Sequence, residues 1–98
     1  MNTSRIIVYV NRQLDGVTFG LDPLSRKQLH AAYPKKSPGG SVYVGYDSKA
    51  DFESYHNRVE PAILPILLGM SEQEIVQLGE IDFIDPKTNE LLFRYINE

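Results

Sequence analysis

Hydrophobic positions are densest in the middle of the chain, from Ser41 to Met70. Ser41 to Tyr46 is rich in Val and Tyr, which predicts a buried strand. Ser48 and Asp51 form an S-x-x-D capping pattern that opens an amphipathic helix. That helix carries one apolar stripe, formed by Phe52, Tyr55, Val59 and Ile63. We expect the stripe to face a sheet and Phe52 and Val59 to be nearly buried.

The chain before this region predicts two strands. Arg5 to Asn11 is rich in Ile, Val and Tyr, as expected of a strand that is buried on both faces or nearly so. Arg12 to Gly16 supplies a turn, and Val17 to Leu21 can return as a shorter strand that Gly20 weakens.

A helix is expected to start at Asp22-Pro23 and to run to about Tyr33. Its inward side should carry Leu24, Leu29 and Ala32. The other side and the loop that follows carry a basic patch, formed by Arg26, Lys27, His30, Lys35 and Lys36 with Tyr33 interleaved. These residues could contact phosphates and stack on one base, or they could simply solvate the helix.

After the central region, Pro61 and Pro65 predict a break in the helix, and Gly69 can end this segment. Ser71 to Glu74 is a capping box that opens a short helix through Leu78, with Gly79 just past its end. Two further strands, Glu80 to Ile84 and Leu91 to Ile96, are joined by the turn-rich segment Asp85 to Glu90 and predict a hairpin.

Together these elements predict an α+β fold. We expect a mixed or antiparallel sheet of four or five strands, two main helices packed chiefly on one face, and a C-terminal β-hairpin. Tyr43 and Tyr46 have opposite parity on their strand, so one of them should face away from the core. An outward tyrosine is typical of an interface anchor, unless a second helix covers it.

Composition narrows the class of protein. The 98 residues, 42% of them hydrophobic, suit one globular domain over 1–98. There is no cysteine, which excludes disulfides and thiolate chemistry and favours a reducing cytoplasm. We expect neither a secretory signal nor a membrane segment, since the apolar runs are too short for either. The sequence does not fix the oligomeric state.

Charge is divided unevenly along the chain, although the net charge is only −3. Residues 1–50 carry seven basic groups against three acidic ones, a balance of +4, and residues 51–98 carry three against ten, a balance of −7. We therefore predict an acidic docking surface, formed by Glu72, Glu74, Glu80, Asp82 and Asp85. The leading hypothesis is a small cytoplasmic, non-enzymatic binding protein, a regulator or inhibitor that docks on another, possibly basic, protein.

Two alternatives remain. A nucleic-acid-associated module would use the basic patch, but it ranks second because the pI of about 5.3 is low for that class. A small metal-dependent or hydrolytic enzyme would use Glu53, His56 and Glu60, which share one side of the central helix. It ranks third because one helix side rarely completes a metal site, and no cofactor is expected.

Overall fold

The strands form one five-stranded mixed sheet in the computed structural model, which describes residues 5–36, 38–53 and 63–96. The elements are, in chain order, β1 (Arg5–Arg12), β2 (Gly16–Leu21), α1 (Pro23–Ala32), β3 (Ser41–Gly45), α2 (Lys49–Phe52), α3 (Leu64–Leu68), α4 (Glu72–Ile75), β4 (Glu80–Asp85) and β5 (Glu90–Ile96). The α+β class and the C-terminal hairpin are confirmed. The expectation of two main helices fits loosely, because α1 has 10 residues whereas the other described helices have only four or five.

The sheet order is β3-β2-β1-β4-β5. β1 pairs in parallel with β4, and every other pair of neighbours is antiparallel. β1 is thus the central strand, which explains its Ile- and Val-rich sequence. β3 and β5 form the two edges.

One face of the sheet, here called the core face, holds the apolar interior. Its fully buried strand residues are Ile6, Val8, Val10, Val17, Phe19, Ile81 and Phe83. The helices and their flanks cover them with Leu29, Ile63, Leu64, Leu67, Leu68, Met70, Ile75 and Leu78. The prediction that the helices pack on one face is therefore confirmed for the described residues.

The opposite face, here called the outer face, carries the alternate positions of the same strands. On β1, Ile7 and Tyr9 are only half-buried there, so the strand is fully buried on the core face alone. On β4, Asp82 and Ile84 are buried on this face. The burial of a carboxylate on a sheet face requires charged partners, which are described below.

The helix α1 begins at the predicted residue, but the side of the helix that faces the sheet is not the predicted one. The Asp22 carboxylate accepts hydrogen bonds from the backbone N–H groups of Leu24 and Ser25. The Ser25 side chain is buried, and its Oγ accepts from Ile7 N at 2.9 Å. Because this polar contact docks the first turn on β1, Leu24 is left 69% exposed and the expectation that it points inward is wrong. Ala32 is also exposed, and only Leu29 is buried as predicted.

The central region differs most from its prediction. β3 is an edge strand and its residues are half-buried or exposed, since only β2 pairs with it among the described strands. Phe52 is 37% exposed, so its predicted burial is wrong. Its ring instead lies edge-on to Tyr46 at 5.5 Å. Ile63 is buried, whereas Tyr55, Val59 and Pro61 lie outside the described residues.

The later turns follow their local signals. Gly69 ends α3 in the left-handed conformation, with φ 64°. The capping box of Ser71 and Glu74 is present. α4 ends at Ile75 rather than Leu78, because the N–H of Leu78 bonds to the carbonyl of Ile75 in a tighter turn. Gly79 does not adopt the positive φ of the predicted helix end. The hairpin loop closes through Asn89, with φ 60° and its N–H on Asp85 O at 2.7 Å.

Candidate functional site

A groove of about 760 Å³ lies beside α1 and offers a candidate binding site. We call it the α1 groove. Its lining consists of Leu21, Pro23, Leu24, Arg26, Lys27, His30, Pro34, Lys36, Pro38 and Gly40. The charged members of this lining are Arg26, Lys27 and Lys36, all cationic.

The N-terminal end of α1 fixes one wall of the groove. Asp22 closes the first turn and its other oxygen, Oδ1, accepts from Tyr9 Oη at 3.0 Å. That hydrogen bond, followed by burial and the Asp22 charge, raises the pKa of Tyr9 above its ordinary value. With Asp22 and Ser25 both tied to β1, the helix holds Arg26, Lys27 and His30 on its exposed side.

The loop after α1 forms the other wall and is held by backbone hydrogen bonds. Lys36 N donates to Tyr33 O at 3.0 Å, and Gly39 N donates to Leu67 O at 2.8 Å. Leu21 N donates to Gly40 O at 3.2 Å, which joins the loop to the end of β2. Because several elements anchor this loop, the groove is a feature of the folded chain rather than of α1 alone.

The predicted basic patch is only partly assembled. Arg26, Lys27, His30 and Lys36 line the groove, whereas Lys35 is exposed outside it. Tyr33 is half-buried against the core and does not line the groove. Its predicted role as a stacking ring is therefore not supported by its placement.

The apolar part of the groove has no signature in the sequence. Leu21 ends a strand and Pro38 and Gly40 lie in a loop, and no local sequence pattern joins them to α1. Pro38 is buried although it lies in a loop rich in Pro and Gly. The groove-facing Leu24 had one usable signal, because an Asp22-Pro23 start places it in the exposed first turn.

One carboxylate approaches the groove from α4. Glu74 Oε1 lies 3.1 Å from Lys36 Nζ, and both side chains are about one-third exposed. The same carboxylate accepts from Ser71 N at 2.9 Å. The Ser71 backbone hydrogen bond and then Lys36 lower the pKa of Glu74, so it stays ionised and partly neutralises the groove.

The predicted acidic surface does not form as one surface. Asp82 is fully buried on the outer face, which contradicts its assignment to a docking surface. Arg5 Nε donates to its Oδ2 at 2.6 Å, and Arg94 Nε donates to its Oδ1 at 3.0 Å. Burial alone would raise the pKa of Asp82, but the hydrogen bonds from Arg94 and Arg5 outweigh it and the pKa is lowered.

The other predicted acidic residues are divided between the sheet and α4. Glu80 lies 3.1 Å from Arg5 Nε and joins the Asp82 cluster. Asp85 pairs with Arg12 at 3.3 Å, and its pKa is lowered mainly by the backbone N–H of Lys87. Glu72 is exposed on α4 beside the Glu74 already used by Lys36. The carboxylates thus serve mostly to hold elements together.

The residues of the third hypothesis lie at the end of α2 and beyond it. Glu53 is exposed at the end of α2, and His56 and Glu60 lie outside the described ranges. Within 5–36, 38–53 and 63–96, no group of three or more His, Asp or Glu is placed to hold a metal ion.

The helices described are also too short or too polar to cross a membrane.

Comparison of the chain with family models, with curated proteins and with solved structures gave no match.

Proposed function

We propose that this protein is a small non-enzymatic binding module whose α1 groove takes an acidic, partly apolar peptide segment of another protein. The observation that carries the proposal is the combination within one groove of an apolar floor, formed by the buried Leu21 and Pro38, with charged lining residues that are all cationic, of which Lys36 is paired with Glu74. This keeps the protein-binding class expected from the sequence but moves the docking surface from the acidic residues to the basic ones. Its cytoplasmic setting remains a prediction from the cysteine-free sequence.

The groove fits a peptide better than a nucleic acid. Leu21, Leu24 and Pro38 offer apolar contacts to aliphatic side chains, and the guanidinium of Arg26 can bind a carboxylate through two hydrogen bonds. Single-stranded nucleic acids are usually held by several rings that stack on successive bases, but Tyr33, which precedes the groove residue Pro34, packs against the core. The described lining contains no Phe, Tyr or Trp, and His30 supplies its one ring for stacking on a base.

The test uses labelled probes and fluorescence anisotropy. A peptide that alternates Glu and Leu should bind, whereas a matched Lys-Leu peptide should not. The combined change Arg26→Ala, Lys27→Ala and Lys36→Ala should lower affinity for the Glu-Leu peptide by roughly tenfold, because exposed ion pairs contribute about 0.2–1 kcal/mol each. Lys87→Ala, at an exposed lysine of the hairpin loop, is the matched control.

A second variant separates the two protein-binding hypotheses. Glu74→Gln keeps a side chain that can complete the capping box but removes the charge that neutralises Lys36. If the groove binds acidic peptides, this change strengthens binding. If an acidic surface is the docking site, the same change weakens capture of a Lys-Leu peptide. Tighter binding of labelled oligo(dT) than of the Glu-Leu peptide would instead favour the nucleic-acid module.

A further inference from the structure

The edge strand β3 lacks the features that usually protect a sheet edge. Ser41 to Tyr46 contains no charged residue and no proline. Among the described strands only β2 pairs with it. Natural edge strands are commonly guarded by charges, prolines or bulges, since a free edge can pair with another chain. β5, at the other edge, carries Glu90 and Arg94 and has a register shift against β4.

The register with β2 shows which backbone groups of β3 face outward. Leu21 N donates to Gly40 O, and Tyr46 N donates to Asp15 O, so these flanking pairs are hydrogen-bonded. In an antiparallel ladder hydrogen-bonded pairs alternate with non-bonded ones. The pairs Phe19–Val42 and Val17–Val44 are therefore bonded. The other residues of β3 turn their N–H and C=O groups away from β2, to the edge that no other described strand covers. These outward residues are Ser41, Tyr43 and Gly45.

The outward residues are spaced symmetrically about Tyr43. We propose that β3 pairs with β3 of a second copy of this chain, antiparallel, with Tyr43 opposite itself on the two-fold axis. In this register Ser41 of each copy pairs with Gly45 of the other copy. The three pairs can form about six backbone hydrogen bonds and join two sheets into one.

Two observations favour a second copy over a strand from another protein. A two-fold axis places each central side chain beside its own copy, which requires an edge without charge, as found here. The same register runs Gly39 alongside Asp47 of the second copy. It therefore brings the exposed Lys35 towards residues 47–51, where Asp47 and Asp51 outnumber Lys49, so the flanks have opposite net charge.

Tyr43 gives a sharp test because it would face itself. Its side chain is 53% exposed, lies against Gly16 and donates from Oη to Asp15 O at 3.4 Å, so substitution there removes a contact with the β1–β2 turn but no core side chain. Sedimentation equilibrium should show that the unmodified chain is a dimer. Tyr43→Lys and Tyr43→Glu should each weaken self-association by roughly tenfold or more, since like charges then lie opposite each other. An equimolar mixture of the two variants should dimerise again, with one copy of each.

The mixture also separates the proposal from mere loss of structure, because misfolded variants would not restore each other. Ser41→Pro is a second probe, since it removes an outward N–H without removing a bond to β2. Leu91→Lys, at a 42% exposed position of the β5 edge, is the control and should leave the dimer unchanged. The proposal is overturned by a monomeric unmodified chain, by a mixture that stays monomeric, or by a dimer that only Leu91→Lys dissociates.

Discussion

Two phenylalanines of this chain differ in burial, and we expect their replacement by Ala to differ accordingly. Phe83 on β4 is fully buried on the core face. Its ring lies 6.3 Å from the ring of Phe19, edge-on, and 6.0 Å from that of Phe93. Phe83→Ala removes these contacts and leaves a cavity, which typically lowers the free energy of unfolding by about 3–5 kcal/mol. A domain of this length has only about 5–15 kcal/mol in total.

Phe52 on α2 is 37% exposed, and its ring meets Tyr46 at 5.5 Å. Full burial of a phenylalanine contributes about 1.5–3 kcal/mol, and an aromatic pair about 0.5–1.5 kcal/mol. The partly buried Phe52 should therefore lose about 1–2 kcal/mol on replacement by Ala. The expected difference between the two variants is about 2–3 kcal/mol, which corresponds to roughly 10–20 °C in melting temperature.

Urea unfolding followed by circular dichroism measures both variants under one set of conditions. Phe83→Leu, which keeps most of the apolar volume, controls for any general sensitivity of β4. Equal losses for Phe52→Ala and Phe83→Ala would mean that the apolar stripe of the central helix is buried after all. A loss below about 1 kcal/mol for Phe83→Ala would contradict the assigned core.

Two further predictions concern polar contacts. Although burial alone would raise it, the hydrogen bonds from Arg94 and Arg5 hold the pKa of Asp82 below its ordinary value in the folded state. The Asp82 ion cluster therefore stabilises the fold at higher pH, and this contribution is lost as the pH falls through the folded pKa. In Asp82→Asn the urea midpoint should be lower at neutral pH than in the unmodified chain. It should also change less between about pH 5 and pH 2, and equal pH profiles for the two proteins would contradict the argument. Ser71→Ala removes the acceptor of the Glu74 N–H and should lower the unfolding free energy by about 0.5–2 kcal/mol in the same assay, whereas an unchanged midpoint would show that α4 does not need its cap.

The features that could be predicted from the sequence are those determined by neighbouring residues. The start of α1 at Asp22, the end of α3 at Gly69 and the capping box at Ser71 each depend on side chains or backbone angles within about one helical turn. The C-terminal hairpin is similarly local. In each case the residue type restricts the backbone directly, so the long-range fold has little influence on it.

The features that could not be predicted depend on pairing between distant segments. Arg5 contacts Asp82 across 77 positions because β1 pairs in parallel with β4. This pairing places β1 in the centre and leaves β3 at the edge, although both strands have similar apolar sequences. The exposure of Phe52 follows from the same placement, since a helix after an edge strand has less of the sheet to cover.

The site could be predicted in its charges and not in its shape. Arg26, Lys27 and His30 follow each other on one helix, so the sequence alone identifies the basic wall. The apolar floor requires Pro38 to be buried, and it is the contact of Gly39 with Leu67 that holds this part of the loop against α3. No pattern within the loop indicates that contact.

The uneven division of charge along the chain has a structural explanation: most of the acidic residues discussed above hold the fold together, which leaves the basic residues as the more available binding surface. The second half of the chain is acidic, yet Asp82, Glu80 and Asp85 neutralise arginines of the first half and of β5. Asp22 and Asp51 are likewise occupied by backbone N–H groups. A carboxylate committed to the fold contributes to the pI but offers little to a partner. The cations that line the α1 groove are less engaged in the fold. Of Arg26, Lys27 and Lys36, only Lys36 forms an ion pair within the described residues. A chain with a net charge of −3 can therefore present a basic binding site, and its acidic composition is no argument against one.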